Sequence, residues 1–334
     1  MVAGQPGSEL EKKCSENEIE FFPVRILAEI DFLAVFKLRK FLRENPVKLI
    51  HVHTAKAHSI ALLVKLKFRD VKLFVSRRVD FHINRNYFSK LKYFSEKNDL
   101  FLTVSRRITE VLIEDGIDPE KIVTIHSGID LSKFKKKLST SHLRKEFEID
   151  PKSILIGNVA ALVDHKDQET LLRSIAAIQT DIMFRIFILG EGELESKLKK
   201  LARSLEIEDK VTFTGFRNDV TAFLNLFHIF TLTSKEEGLG TAVLDAMACG
   251  LPVIATRGGG IVEMLTDKKG ALLADVKDFS ALAVHFKTLI ESENTRSEYG
   301  AFNLEYVKRF SIDETIRKTT QAYYSHLGKG LYEK

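Results

Sequence analysis

The stretch Ser234–Gly260, SKEEGLGTAVLDAMACGLPVIATRGGG, narrows the folds open to this chain more than any other. It starts where Ile229-Phe230-Thr231-Leu232, a short apolar and β-prone run, is closed by Ser234. A charged, glycine-punctuated turn follows from Lys235 to Gly240. Thr241–Ala248 then carries small and apolar residues with no breaker, as a buried helix does. Gly250 suits the C′ position that ends a helix, and Pro252 blocks its continuation. Val253-Ile254-Ala255 reads as the next strand and Gly258-Gly259-Gly260 as another loop. Strand, loop, helix, strand, loop is the unit of an open parallel sheet, whose ligands bind beyond the carboxyl ends of its strands. Both glycine-rich loops fall at such ends.

The acids fit that geometry. Glu237 stands in the loop before the helix, and Asp245 about two turns into it. Gly238 and Gly240 let a ligand approach the backbone, and a helix start offers free N–H groups and a positive dipole end to an anion. A carboxylate beside such a site suits sugar hydroxyls, because it accepts two hydrogen bonds. On the residues alone, a solvated acidic loop and a helix with one polar residue explain the pattern equally well.

The stretch resembles the signature of the retaining glycosyltransferases of family 4: a Glu, seven residues, a second Glu, then Ala-Met-Ala-Cys-Gly-x-Pro-Val. Here it runs from Glu237 to Asp245, then Ala246-Met247-Ala248-Cys249-Gly250-Leu251-Pro252-Val253. The resemblance implies a GT-B fold, an α/β architecture of two Rossmann-like domains facing across a cleft. It implies that Glu237 holds donor-sugar hydroxyls, that Gly238, Leu239, Gly240 and Thr241 lie along the donor, and that Asp245 meets the nucleotide ribose. Asp245 stands where the family usually has Glu; it keeps the charge and shortens the reach by one methylene.

The rest of the chain alternates strand and helix as that fold requires. At 334 residues it suits two domains, and 44% hydrophobic with 29% charged residues is ordinary for a globular protein. The expected division is 1–133 for an acceptor-side domain, 134–152 for a linker and 153–310 for a nucleotide-sugar domain. Residues 311–334 are expected to form a helix crossing back to the first domain. The start is irregular. Met1–Gly4 looks like the tail of a strand, Glu9–Asn17 like a charged helix and Ile19–Val24 like a second strand, whereas a doubly wound domain opens with a full strand, a glycine loop and a helix. About one βα unit is expected to be absent, with the reading frame beginning upstream. Its loss should leave a gap in the first sheet or force the strand at Met1 against the one at Lys48–His53.

Further candidates lie at other strand ends. Lys166, in ALVDHKD, can neutralise a diphosphate; the resembled family carries an Arg five residues earlier, where this chain has Ala161. Gly190-Glu191-Gly192 resembles the family's nucleotide loop, and Gly215-Phe216-Arg217 the segment whose backbone reads the base; a buried Phe216 beside a turn glycine is the simpler reading. His51 and His53 alternate on one strand and point to one face. His53, at the strand end, is positioned to meet a ligand and is the catalytic candidate beside Glu237, while His51 reads as a core histidine. Arg77 and Arg78 close the next strand where relatives carry a histidine, and with Ser127 and Gly128 they are candidates for the acceptor or phosphate side. No Cys or carboxylate accompanies the histidines at metal-ligand spacing, so no metal site is expected.

Charge is uneven. Residues 51–100 hold 11 Lys/Arg against 4 Asp/Glu, while 151–334 hold 23 against 25. A basic first half points to an anionic partner, a membrane surface or an acidic acceptor. Tyr87–Lys97, with apolar residues at 87, 88, 91 and 94 and lysines at 90, 92 and 97, reads as an amphipathic basic helix, packed on the sheet or docked on an anionic membrane. The sequence lacks a signal-peptide pattern, a membrane-spanning run and a disulfide framework, so a cytoplasmic location, peripheral on the inner membrane face, is expected. The reading is a glycosyltransferase that takes sugar from a nucleotide-sugar donor, with retention, to a cell-envelope glycan or lipid-linked acceptor. It needs no cofactor or metal and no nucleic-acid partner. The alternatives are a sugar-nucleotide epimerase of the same fold and a non-catalytic or incomplete relative.

Overall fold

The structure, a computed structural model, describes residues 1–83, 87–134 and 138–327. The chain divides into two compact units. Unit 1 comprises Met1–Val104, Ile108–Ile125 and Thr319–Lys334; unit 2 comprises Ser105–Arg107 and His126–Lys318.

In unit 1 the elements run β1 (Val2–Gly4), α1 (Glu9–Glu16), β2 (Phe21–Pro23), α2 (Phe32–Glu44), β3 (Leu49–Val52), α3 (Ala55–Lys65), β4 (Lys72–Arg77), α4 (Tyr87–Tyr93), β5 (Leu100–Thr103), α5 (Arg106–Glu114) and β6 (Ile122–Thr124). Strands β3-β4-β5-β6 form a parallel sheet in that order. Alternation along the strands supplies two faces: Leu73, Val75 and Phe101 pack in one core, and Phe74, Leu100 and Leu102 in another. The strand at Met1 does not join this sheet. It pairs in parallel with β2, Val2 opposite Phe21, as a separate two-stranded sheet, and β3 is an edge strand. Of the two outcomes expected at the start of the chain, pairing of Met1 with the Lys48–His53 strand does not occur. The small sheet is held by its own core, with Val24, Ala34, Val35, Ile60 and Val64 buried under α2 and α3.

Unit 2 continues with α6 (Ser141–Glu146), β7 (Ile154–Val159), α7 (Gln168–Ala176), β8 (Phe184–Leu189), α8 (Glu195–Ser204), β9 (Val211–Gly215), α9 (Val220–Leu226), β10 (Ile229–Leu232), α10 (Thr241–Ala248), β11 (Val253–Thr256), β12 (Ala271–Ala274), α11 (Phe279–Glu291) and α12 (Glu293–Tyr306); α13 (Ile312–Leu327) follows. Its six strands are parallel, in the order β12-β11-β10-β7-β8-β9. The chain winds outward from β7 through β8 to β9, then returns to lay β10 on the other side of β7. That reversal is the topological switch point, and it opens a crevice beyond the carboxyl ends of β7 and β10. Helices α7, α8 and α11 bury Leu171, Leu172, Leu198, Leu282 and Phe286 against one face. The other face carries an aromatic cluster of Phe147, Phe187, Phe223 and Phe227.

Gly157, inside β7, lets that cluster close. A β-carbon there would lie 2.0 Å from the Phe227 ring. Gly157→Ala is expected to lower stability by about 1–3 kcal/mol through overpacking, read as a lower denaturant midpoint. An unchanged midpoint would show that Phe227 has room to retreat.

Candidate functional site

The loop after β10 is clamped from both sides. β10 is wholly buried, as are Thr233 and Ser234 just beyond it. On the β7 side, the Thr233 hydroxyl donates to the Asp167 carbonyl at 3.1 Å and the Lys235 N–H to the His165 carbonyl at 2.8 Å. An ion pair between Lys235 and Asp164, at 2.9 Å, adds to the clamp. On the β11 side, the Thr256 hydroxyl donates to the Ser234 carbonyl at 2.7 Å, and the Gly260 N–H to the Glu237 carbonyl at 2.7 Å. The glycine run is required here by close approach. A β-carbon on Gly258 would meet the Ser234 carbonyl oxygen at 2.0 Å, and one on Gly260 the Gly238 carbonyl oxygen at 2.2 Å. The run expected as a plain loop tightens into a 3-10 turn over Gly259–Glu263.

Between these clamps the loop delivers its groups to the start of α10. Gly240 is the N-cap, with φ +81°, and no side chain caps the helix. The first-turn N–H groups of a helix have no partner within the helix, so this end is suited to an anion. The Glu237 side chain lies against Gly240 and forms an ion pair with Lys166; the Ser234 hydroxyl is 3.4 Å from the same carboxylate oxygen. The Lys166 and Glu237 side chains are 17% and 14% exposed, so each neutralises the other where water gives little help. Leu239 is buried, which leaves its backbone as what it offers, and Thr241 is exposed at the helix start.

Farther along α10, the Asp245 carboxylate has no hydrogen-bond or ion-pair partner among the described residues. Burial raises its carboxyl to about 6, with the charge of Lys133 pulling the other way. One turn on, burial and then Asp245 push the Cys249 thiol up to about 12, so it stays protonated. Lys133 had no sequence signal connecting it to Asp245; only the turn Leu131–Phe134 packing beside α10 brings its charge near.

The loops beyond β8 and β9 meet each other. The Gly190 N–H donates to the Gly215 carbonyl at 3.0 Å, and the Glu191 carboxylate accepts the Phe216 N–H at 3.2 Å. Leu162, beyond β7, donates its N–H to the Glu191 carbonyl at 3.0 Å, and Gly192 lies against the Leu162 backbone. Phe216 is 67% exposed, contrary to the buried ring the simpler reading expects. The Arg217 side chain is occupied elsewhere. It forms paired bonds to Glu146 and to Asp219 and stacks over Phe223, which raises its pKa further and ties this strand end to α6. Whatever this segment offers a ligand comes from its backbone and from Phe216.

Other candidates divide in the same way. His51 is bonded to the Tyr323 hydroxyl at 2.6 Å and to Ser76 at 2.8 Å, and burial lowers its pKa to about 3. His53, at the end of β3, is exposed yet closely surrounded by protein; that crowding and then Arg78 lower its pKa, so the ring is neutral at pH 7. Arg78 is exposed beside it. Arg77 is not available in the same sense. It is buried, donates to the Tyr93 hydroxyl at 2.6 Å and to the Phe81 carbonyl, and stacks over the Tyr93 ring. Gly128 packs its backbone on Ser311 and donates to the Thr315 hydroxyl at 2.7 Å, a packing contact; Ser127 beside it is half-buried.

Glu263 escaped the sequence reading. Its carboxylate accepts from the His126 ring at 2.8 Å and from the N–H groups of Arg106 and Arg107 at 2.8 and 3.0 Å. Burial opposes ionisation, but these donors hold its carboxyl below the usual range. The Gly258–Gly260 run just before it was the available signal: a loop packed that tightly fixes whatever side chain follows. Among the described residues, no three His, Cys, Asp or Glu side chains gather so as to hold a metal ion.

Comparison with known proteins fits this geometry. Residues 139–303 match the family model described as Glycosyl transferases group 1, and residues 2–133 match Glycosyltransferase Family 4. The chain is 25% identical over 307 residues to the N-acetyl-alpha-D-glucosaminyl L-malate synthase of Bacillus anthracis, covering 89% of this chain and 80% of that one. It is 26% identical over 298 residues to a Campylobacter jejuni enzyme, N-acetylgalactosamine-N,N'-diacetylbacillosaminyl-diphospho-undecaprenol 4-alpha-N-acetylgalactosaminyltransferase, covering 86% and 77%. The crystal structure of Anabaena HepE in complex with UDP superposes with a TM-score of 0.84 at 19% identity, covering 97% of this chain and 92% of that one. With both units matched and the glycine-bound acidic loop at the switch point, the chain belongs to glycosyltransferase family 4 and is a glycosyltransferase of the GT-B fold.

Proposed function

We propose that the protein transfers a sugar, with retention of configuration, from a uridine-diphosphate sugar to a lipid-linked or other cell-envelope glycan. The observation that carries this reading is the Lys166–Glu237 pair at the uncapped start of α10, directly beyond the switch point of unit 2. A nucleotide sugar offers that pair what each member lacks. The diphosphate takes Lys166 and the helix N–H groups, and the freed Glu237 carboxylate accepts hydrogen bonds from sugar hydroxyls. Asp245 receives the ribose hydroxyls. The backbone at Gly190–Gly192 and Gly215–Phe216 meets the base, with Phe216 as an exposed ring for stacking.

The chemistry follows from charge. The bond between the anomeric carbon and the diphosphate oxygen breaks, and the diphosphate leaves with the electron pair. Lys166 and the α10 N-terminus stabilise the charge that develops, the role a metal ion fills in other transferases. A hydroxyl of the acceptor forms the new bond to the anomeric carbon on the face the diphosphate leaves and passes its proton to the departing diphosphate oxygen. Neutral His53 and cationic Arg78, at the carboxyl edge of the sheet in unit 1, are assigned to the acceptor side. The uridine choice is supported by the UDP bound to the Anabaena structure, and the lipid-linked choice by the printed activity of the Campylobacter relative.

Glu237→Ala is expected to reduce transfer by about 100-fold or more while UDP binding persists, because the substitution releases Lys166. Unchanged turnover with a functional donor and acceptor would remove Glu237 from the site. Chelation by EDTA is expected to leave turnover unaltered; recovery of lost activity by added divalent metal would overturn the charge assignment.

The Asp245 carboxyl, raised to about 6, makes a pH prediction. Ribose hydroxyls donate to the ionised form, so bound donor favours loss of the proton. Affinity for UDP-glucose, whose diphosphate keeps its charge over this range, should fall as pH drops through about 6 and hold steady above it. Asp245→Asn should bind more weakly at pH 8 and show a flat profile. A profile that keeps its step in the Asn variant would assign the titration to another group.

A further inference from the structure

The turn Gly259–Glu263, which closes on the Glu237 loop from the β11 side, is fixed near both of its ends. Near the first end, the Gly260 N–H donates to the Glu237 carbonyl at 2.7 Å. Gly260 has no room to shift. A β-carbon there would meet the Gly238 carbonyl oxygen at 2.2 Å and the Ser105 β-carbon at 2.9 Å. Ile261 inside the turn and Met264 just after it are fully buried, so sliding the turn would open the core.

Glu263 anchors the other end. One of its carboxylate oxygens accepts the Arg106 N–H at 2.8 Å and the other the Arg107 N–H at 3.0 Å, and the His126 ring donates to the first at 2.8 Å. The opening N–H groups of a helix lack partners within it, so the carboxylate caps the start of α5 as well as tying the turn to it. His126 is itself held. Its carbonyl accepts from the Thr315 hydroxyl at 2.8 Å, and its ring packs edge-on against Phe310 with centroids 5.6 Å apart. All of these anchoring residues belong to unit 2. The Glu263 side chain is 12% exposed, and hydrogen bonds to an ionised acceptor are stronger than neutral ones. A surface connection from β11 to β12 needs no such anchor. Here a mostly buried carboxylate and three donors are committed to a turn that bonds to the backbone of Glu237.

We propose that Glu263 is a positioning residue for the donor sugar: it ties the Gly259–Glu263 turn to the start of α5 and to His126, and so fixes where the Glu237 carboxylate meets the sugar hydroxyls. Glu263 acts through the bond from Gly260 to Glu237 and not by touching a ligand. This rests on the reading of Glu237 as the sugar-binding acid, and it adds what holds that acid in place. The groups assigned to the diphosphate are supported from elsewhere. Lys166 lies on the β7 side of the loop, where its N–H donates to the Val163 carbonyl and the Lys235 N–H to the His165 carbonyl. Loss of the Glu263 anchor therefore falls on the sugar and spares the diphosphate.

The test uses the full chain and calorimetry with UDP-glucose and with UDP. Glu263→Gln keeps the size of the side chain, removes its charge and puts an N–H donor where N–H donors already point. It is expected to weaken UDP-glucose by about fivefold or more and to leave UDP no weaker. His126→Phe keeps a ring against Phe310, removes one of the three donors and should show the same split to a smaller extent. In a Glu237→Ala background, Glu263→Gln should change UDP-glucose binding by less than about twofold, because the residue it acts through is gone. Additive losses overturn the assignment, as does a Glu263→Gln variant that binds both ligands like the wild type. Equal loss of UDP and UDP-glucose in the Gln and Phe variants makes Glu263 a residue of the fold alone and overturns it too. If Glu237→Ala leaves UDP-glucose unaffected, the sugar-binding reading of Glu237 falls and the role of Glu263 with it. If Glu237→Ala weakens UDP-glucose and Glu263→Gln does not, the reading of Glu237 stands and the role of Glu263 alone falls.

Discussion

The parallel pairing of β10 with β7 is the constraint on which unit 2 depends. It sets side by side two strands that lie far apart in the chain, and it ends both at the same level. Their loops then have no space to diverge. The Asp164–Asp167 turn and the Lys235–Gly240 turn share backbone bonds, and the β11 loop closes on the other side with glycines where carbonyl oxygens press in. A loop held on both flanks loses little freedom when a ligand arrives. Rigid placement of this kind holds charged groups where a ligand can meet them without rearrangement.

Unit 1 is built with less redundancy. Its strands are short, its parallel sheet has four members, and the opening pair of strands stands apart with its own small core. Unit 2 closes its strand ends with clamped loops, whereas the strand edge of unit 1 carries exposed side chains such as His53 and Arg78.

Much of the fold was legible because its signals were local. Strand β10 and helices α10 and α13 follow directly from apolar runs, caps and breakers, and Gly250 takes the positive φ of 74° its position demands. The pairing of Lys166 with Glu237 was not legible, although both were candidates, since it depends on the strand order. Arg77 and Arg217 show the converse limit. An arginine at a strand end reads as a ligand contact until its neighbours are known, and Tyr93 and Glu146 come from other elements. For helix α4 the reading that packs its apolar face on the sheet fails for a related reason, since Tyr87, Phe88 and Leu91 are exposed and Lys92 is buried. Its periodicity was visible, but periodicity gives a face and not the direction in which that face points.

On the donor reading proposed above, the pairing of Lys166 with Glu237 has a consequence for turnover. A bare nucleoside diphosphate can claim the lysine, but it leaves the carboxylate, in a largely dry site, with the long contact to the Ser234 hydroxyl at 3.4 Å in place of an ion pair. A sugar-bearing nucleotide satisfies both. The empty enzyme thus holds an internal competitor for its own product. Once the sugar has left, the glutamate draws the lysine back and helps to expel what remains. A site arranged in this way resists clogging by spent donor.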